Sequence, residues 1–201
     1  MKRNFLLTSL IFLFGFALLS KYEDRTVIRN LDFTMTVKVQ DFVGKFCTTR
    51  CDGLFEDIGF FAGPLFSVAV ILIFAIKRKS LVIPLLFGLL TIAEIYGKTI
   101  VAHPAPPFFM LKNPTTVFPT YHVWEEFSYP SGHAARAVFL AIVLFSLTKK
   151  RLWVGIGLGI YVCLIALSRI YLGHHWLSDV IGGWLLGGGM SLVAMSAYKE
   201  N

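Results

Sequence analysis

Long apolar runs separated by short basic turns constrain this chain more than any other feature. Six runs can be read, at roughly 4–20, 57–76, 81–97, 134–149, 152–172 and 177–197. A helix needs about 20 apolar residues to cross the hydrocarbon core, where its backbone polar groups must be satisfied internally. Several runs are shorter, and flanking Lys and Arg can extend them by snorkelling. Only 15% of the 201 residues are charged and 56% are hydrophobic, against about 25% charged in soluble domains. The pattern predicts an all-α polytopic membrane protein with six transmembrane helices. A single domain over 1–201 leaves no room for a separate soluble module. The first run follows Lys2 and Arg3 as a signal peptide would, but Ala17-Leu18-Leu19-Ser20 is a weak cleavage site, so it reads as an uncleaved helix.

Topology follows from the tight loops. Lys77-Arg78-Lys79 and Lys149-Lys150-Arg151 are basic and free of acids, which favours the cytoplasmic side. The amino terminus and Lys199 then also lie inside, and loops 21–56, 98–133 and 173–176 fall outside. The net charge of +7 sits largely in clusters at span ends, where it sets topology and meets anionic headgroups. It is not gathered into a nucleic-acid surface, and no P-loop, zinc-finger or RNA-binding motif accompanies it. The partners implied are the bilayer and a lipid, with no obligate protein partner.

Loop 21–56 places Phe33, Val37, Phe42 and Phe46 at roughly helical spacing. An amphipathic helix in the membrane interface and a helix packed on the bundle both fit that pattern. Cys47 and Cys51 share this loop; their spacing admits a disulfide if the loop faces an oxidising compartment. No further ligands stand nearby in sequence, so no metal site is expected there. Cys163 lies in an apolar run and reads as packing. The glycine-rich stretch 182–189 would permit close helix contact.

Two segments carry chemistry. One is Tyr129-Pro130-Ser131-Gly132-His133. The other is Ser168-Arg169, five residues, His175, three residues, Asp179. Both fall in outside loops or at the outer ends of adjoining spans, where ionisable groups are costly unless they act. Asp179 follows His175 by four residues, the spacing of one helix face. A carboxylate there can accept the Nδ1–H of the imidazole and leave Nε2 as a nucleophile. Arg169 offers a planar fork for phosphoryl oxygens. Ser131 and Gly132 precede a helix start, where a hydroxyl and backbone N–H groups can cradle an anion. His133 would be a second imidazole for acid and base steps. His174, beside His175, and His122 read as structural or exposed residues. Glu94 and Lys98 stand in the order that favours an ion pair along one helix.

These segments resemble two signatures of the type 2 phosphatidic acid phosphatase family, whose membrane members are six-span, metal-independent lipid phosphate phosphatases. The resemblance covers about 93–185. It implies His175 as nucleophile, Asp179 as its partner and His133 as proton donor, with Lys98, Ser131, Gly132 and Arg169 binding phosphate. It further implies an active site on the outer, periplasmic face of a bacterial inner membrane and no cofactor.

The family's first signature, Lys, six residues, then Arg-Pro, is altered here. Lys98 and Pro106 match, but Ala105 stands at the arginine, and the stretch Ala102-His103-Pro104-Ala105-Pro106 lacks both usual arginines. His103 or Arg136 is expected to supply the lost charge. The loop 104–128 is rich in aromatics, among them Phe108, Phe109, Phe118, Tyr121 and Trp124, and carries Glu125 and Glu126. It reads as an interfacial belt or as a rim over acyl chains. Lipid A (its 1-phosphate) is the expected substrate; undecaprenyl pyrophosphate, phosphatidylglycerophosphate and phosphatidic acid are the alternatives. A lipid phosphotransferase and a non-catalytic lipid-binding or transport protein are rival classes.

Overall fold

A computed structural model of the chain describes residues 2–47, 49–112, 114–119, 127–148 and 151–198. Tyr121, His122, Trp124, Glu125, Glu126, Lys149, Lys150 and Lys199 lie outside the described residues. Among those described there are eight α-helices: α1 (Lys2–Tyr22), α2 (Thr26–Gly44), α3 (Thr49–Phe60), α4 (Pro64–Arg78), α5 (Val82–Ile100), α6 (Gly132–Leu147), α7 (Leu152–Tyr171) and α8 (Leu177–Ala197). A 3-10 turn spans Phe108–Met110, and an isolated bridge joins Pro104 to Phe127.

Five stretches are long and apolar enough to cross a bilayer: Asn4–Tyr22, Cys51–Arg78, Val82–Ile100, Leu152–Tyr171 and Leu177–Ala197. The expected sixth, α6, has 16 residues, about 24 Å of helix against a hydrocarbon core of about 30 Å. The run read as one helix over 57–76 is two. It breaks between Phe60 and Pro64, where Gly63 takes an extended backbone and Pro64 opens α4. Proline suits the first turn of a helix because it has no N–H to lose.

Helix α8 is the hub. In its spanning window 61% of residues are buried, against 6% for α1, which lies on the outside of the bundle. The reason is glycine. A Cβ on Gly183 would run into the Ser131 carbonyl, and one on Gly187 into the backbone of Ala135, so the bare α8 backbone rests directly on α6. Apolar side chains then close the gaps on the far side, with Ile83, Phe87 and Leu90 of α5 and Phe139 and Val143 of α6 meeting Ala194 and Met195 of α8. Large apolar residues are exposed instead on α1, α4, α5 and α7, as with Phe14, Leu72, Leu85 and Ile160. That inversion is what a lipid solvent permits.

Helix α2 turns the same way. Phe33 and Phe42, and Phe46 just past the helix, are exposed while Asp32 and Thr36 are buried. Its polar face meets the bundle and its aromatic face points outward, so the helix packs on the bundle and also presents an apolar face. Cys47 and Cys51 form a disulfide between α2 and α3, with Cα atoms 5.4 Å apart. Cys163 is exposed on α7 rather than packed inside.

Helix direction gathers the motifs. The carboxyl ends of α5 and α7 meet the amino ends of α6 and α8, and the carboxyl ends of α4 and α6 lie at the other end, with the amino ends of α5 and α7. The long connection after α5 is stitched at its base, where the Ser128 N–H donates to the His103 carbonyl at 2.9 Å.

Candidate active site

Each signature residue is placed by a helix terminus. Ser131 is the N-cap of α6; its Oγ accepts from the Ala134 N–H at 3.5 Å, and its own N–H donates to the Asp179 carbonyl at 3.0 Å. The hydroxyl expected to cradle an anion therefore caps its helix, and Ser131 is not among the cavity-lining residues. Gly132 does line the cavity, and any Cβ there would overlap the Glu94 carboxylate. At the end of α7, Gly173 takes a left-handed φ of 71° and lies against the Met110 carbonyl, a position that glycine tolerates best. The reversal lets the N–H groups of His174 and His175 both donate to the Arg169 carbonyl, at 3.1 and 3.2 Å.

His175 lies just before α8, not on it. Trp176 is the N-cap and Asp179 is the third helical residue. The four-residue spacing brings imidazole and carboxylate together because Asp179 folds back over the helix start. Its Oδ2 accepts from the Trp176 N–H at 2.9 Å and lies 3.3 Å from His175 Nδ1. Asp179 is wholly buried and His175 nearly so. Burial lowers the pKa of His175 below the ordinary histidine value and outweighs the opposing pull of Asp179.

A cavity of about 390 Å³ opens on this end of the bundle. Lys98, His133, Arg136, Arg169, His174 and His175 line it, and so do two acids, Glu56 and Glu94. Apolar residues of α3, α4 and α5 form another part of its wall, including Phe60, Leu65, Phe66 and Ile95.

The cations are already partnered. Arg169 Nη2 donates to Glu56 Oε2 at 2.9 Å, Nη1 meets His174 Nδ1 at 3.1 Å, and Nε donates to Ser168 Oγ at 3.1 Å. An arginine can only donate, so Nδ1 of His174 accepts and its proton sits on Nε2. Arg136 donates to Glu94 Oε2 at 2.5 Å and to the Ala62 carbonyl at 3.0 Å. Lys98 Nζ stands 3.9 Å from Glu94 Oε1. The expected Glu94–Lys98 pair is therefore present, with Arg136 as the nearer partner.

Of the two residues expected to replace the missing arginine, Arg136 lines the cavity and His103 does not. Ala105 lines the cavity wall, whereas His103 is turned behind Asp179, with Nδ1 2.9 Å from Asp179 Oδ1 and Nε2 3.7 Å from Asp32 Oδ2. Sequence reasoning missed Glu56 and Asp32, and it read His174 as structural although it lines the cavity. Proximity to His175 was the only signal for His174; nothing local marks the other two. Among the described residues no cluster of three or more His, Cys, Asp or Glu has the arrangement of a metal site.

A model of the PAP2 superfamily matches residues 66–201, which include every motif described above. The chain belongs to the PAP2 superfamily. This PAP2 protein is 34% identical over 131 residues to an undecaprenyl-diphosphatase of Sulfolobus acidocaldarius, a match covering 63% of this chain and 59% of the relative. It is 41% identical over 71 residues to phosphatidylglycerophosphatase B of Bacillus subtilis, covering 31% of this chain and 35% of that one. The chain thus spans less than two thirds of either relative's length. The fold is similar to that of a solved transmembrane PAP2-type phosphatidylglycerolphosphate phosphatase from Bacillus subtilis, with a TM-score of 0.72 at 23% identity, over 94% of this chain and 93% of that one.

Proposed function

We propose that this PAP2 protein is an integral membrane lipid phosphatase that hydrolyses a lipid phosphate monoester or pyrophosphate through a phosphohistidine. The reading rests on one observation: His175, itself buried and oriented by a buried carboxylate, shares a cavity with His133, Lys98, Arg136 and Arg169. That wall continues into apolar residues of α3, α4 and α5. The headgroup would bind among the cations while the lipid tail lies along the apolar side.

Asp179 holds the Nδ1–H of His175, leaving the Nε2 lone pair to attack phosphorus in line. The bond from phosphorus to the lipid oxygen breaks, and His133 gives that oxygen its proton. Lys98, Arg136, Arg169 and the backbone N–H groups at the start of α6 stabilise the charge on the phosphoryl oxygens. His133 then removes a proton from water, the oxygen attacks phosphorus, and the phosphorus–nitrogen bond breaks to release inorganic phosphate. The same family signature supports six crossings, with α6 as the short one, and a site on the periplasmic face of a bacterial inner membrane.

Lipid A 1-phosphate remains the substrate expected from sequence. Undecaprenyl pyrophosphate is the second reading, favoured by the 131-residue match to an undecaprenyl-diphosphatase. The test is phosphate release by the purified full chain in detergent, with EDTA present, from these two lipids, phosphatidylglycerophosphate and phosphatidic acid. Turnover of at least one, abolished by His175→Ala, is expected. Full turnover by His175→Ala would overturn the nucleophile, and no turnover of any lipid would overturn the phosphatase reading.

A further inference from the structure

His103 occupies a position that the proposed chemistry does not explain. It follows Ala102 in the stretch that lacks its arginines, yet it is buried and its ring lies behind Asp179, outside the catalytic cavity. Each ring nitrogen faces a carboxylate: Nδ1 is 2.9 Å from Asp179 Oδ1 and Nε2 is 3.7 Å from Asp32 Oδ2. A neutral imidazole has one N–H and would turn a lone pair on one of those anions. Only the imidazolium suits both.

We propose that His103 is a positioning residue: as an imidazolium wedged between Asp32 and Asp179, it fixes the Asp179 carboxylate and limits how strongly that carboxylate can stabilise a proton on His175. The assignment rests on His175 being the reacting imidazole of the proposed function. Asp179 then divides its oxygens. Oδ1 accepts from His103, while Oδ2 accepts from the Trp176 N–H and from His175.

The buried charged groups around His103 are acids. Asp179 approaches from α8, Asp32 from α2 and Glu23 from the turn after α1, all three buried. The other titratable groups near it are the Tyr129 ring, 6.5 Å away between centroids, and Arg29, which shares a small second cavity with His103 but is half exposed and paired to Asp24. Among the described residues His103 is thus the one buried cationic group within this acid cluster. Burial disfavours its charged form, but the Asp179 hydrogen bond and the charges of Asp179, Asp32 and Glu23 together raise its pKa above the ordinary value.

Asp32 has a second hold on the site. Its Oδ1 accepts from the Ser178 N–H at 2.8 Å and its Oδ2 from the Ser178 hydroxyl at 2.7 Å. Helix α2 therefore anchors the first turn of α8, the turn that carries Asp179. The chain Asp32–His103–Asp179–His175 links this peripheral helix to the reacting imidazole through buried polar contacts.

The charge makes a signed prediction. Replacing His103 by asparagine keeps a donor near the Nδ1 position and removes the positive charge. Asp179 then favours the protonated form of His175 more strongly, so the neutral nucleophile disappears at higher pH. The acid limb of kcat/KM should move up by about one pH unit, as expected for removing one charge several ångströms away. Asp32→Asn, which can still accept from Ser178, removes one of the anions that hold the imidazolium, so His103 should lose its second proton at lower pH than in wild type.

Histidine-labelled NMR of the full chain in micelles reads the same states without turnover, between about pH 5 and 9. His103 should show both ring nitrogens protonated at neutral pH, and the His175 titration should rise in His103→Asn. A His103 with one proton at neutral pH, or a His175 titration unchanged in His103→Asn, overturns the proposal. If no lipid is turned over but the NMR shifts occur, the proposed function fails and the His103–His175 coupling stands.

Discussion

Oε2 of Glu56 lies 2.9 Å from Nη2 of Arg169. The guanidinium assigned to phosphate already holds a carboxylate, inside the cavity where the headgroup would sit. Glu56 comes from α3, and its carboxylate also stands 3.6 Å from His174 Nδ1. An incoming phosphate must share Arg169 with this anion or displace it.

Glu56→Gln is therefore expected to tighten anion binding, since it removes a like charge while keeping an acceptor for Arg169. Product inhibition by inorganic phosphate should strengthen by about fivefold, a typical value for losing one partly screened repulsion. The inhibition constant, measured against any lipid that turns over, checks this. A weaker inhibition would instead mean that Glu56 holds Arg169 in its binding geometry.

The Arg136–Glu94 pair tests a different term. Both side chains are buried, and Arg136 also donates to the Ala62 carbonyl. Removing one partner of a buried ion pair costs about 3–5 kcal/mol because the other charge is stranded. Arg136→Ala should lower the melting temperature in detergent and raise KM, because the same change strips a cation from the cavity. Lys98 stands 3.9 Å from the other oxygen of Glu94, so the loss should fall towards the lower end of that range. A variant with unchanged melting and unchanged KM would remove Arg136 from the site.

The pH dependence follows from His175. Its pKa is lowered chiefly by burial, with Asp179 only partly opposing. A nucleophile must be neutral, so the acid limb of kcat/KM should lie below the ordinary histidine value of about 6.5. The same sign holds for stability. A group that protonates more readily when unfolded favours unfolding as pH falls below that ordinary value. His103 runs the other way: its raised pKa contributes stability that is fully present below about 6.5 and lost as pH rises through its folded value. A pH–rate profile of wild type with its acid limb above about 6.5 would contradict the burial argument.

The sequence made the helices legible because a bilayer demands long apolar runs, and it made the signature legible because its residues fall at helix ends. The His175–Asp179 contact was reached through a helix-face spacing, although the chain forms it by folding Asp179 back over a helix start. The break at Gly63-Pro64 was equally available in sequence, but continuous hydrophobicity concealed it. The rest was hidden by distance along the chain. Glu56 meets Arg169 across 113 residues and Asp32 meets Ser178 across 146, and no local pattern encodes such pairings. The place of His103 is hidden likewise: it is one of two residues expected to supply the lost charge, and the turn after α5 carries its ring behind Asp179, outside the cavity lining.

The α6–α8 contact sets the spacing of the two histidines, and it can be perturbed without touching either one. His133 rides on the first turn of α6 and His175 precedes α8, and the two helices meet where Gly183 faces the Ser131 carbonyl. A methyl group there has no room against backbone, so Gly183→Ala must push the start of α6 away. A displacement near 1 Å at a reacting geometry costs about a hundredfold. Gly183→Ala should lower kcat by that order while the protein still elutes as a folded, monodisperse species, because the apolar contacts of α8 with α5 and the far end of α6 remain. Gly157→Ala on α7, where nothing lies within 4 Å of the added carbon, should leave kcat unchanged. Equal rates for the two variants would show that the separation of the histidines does not depend on this contact.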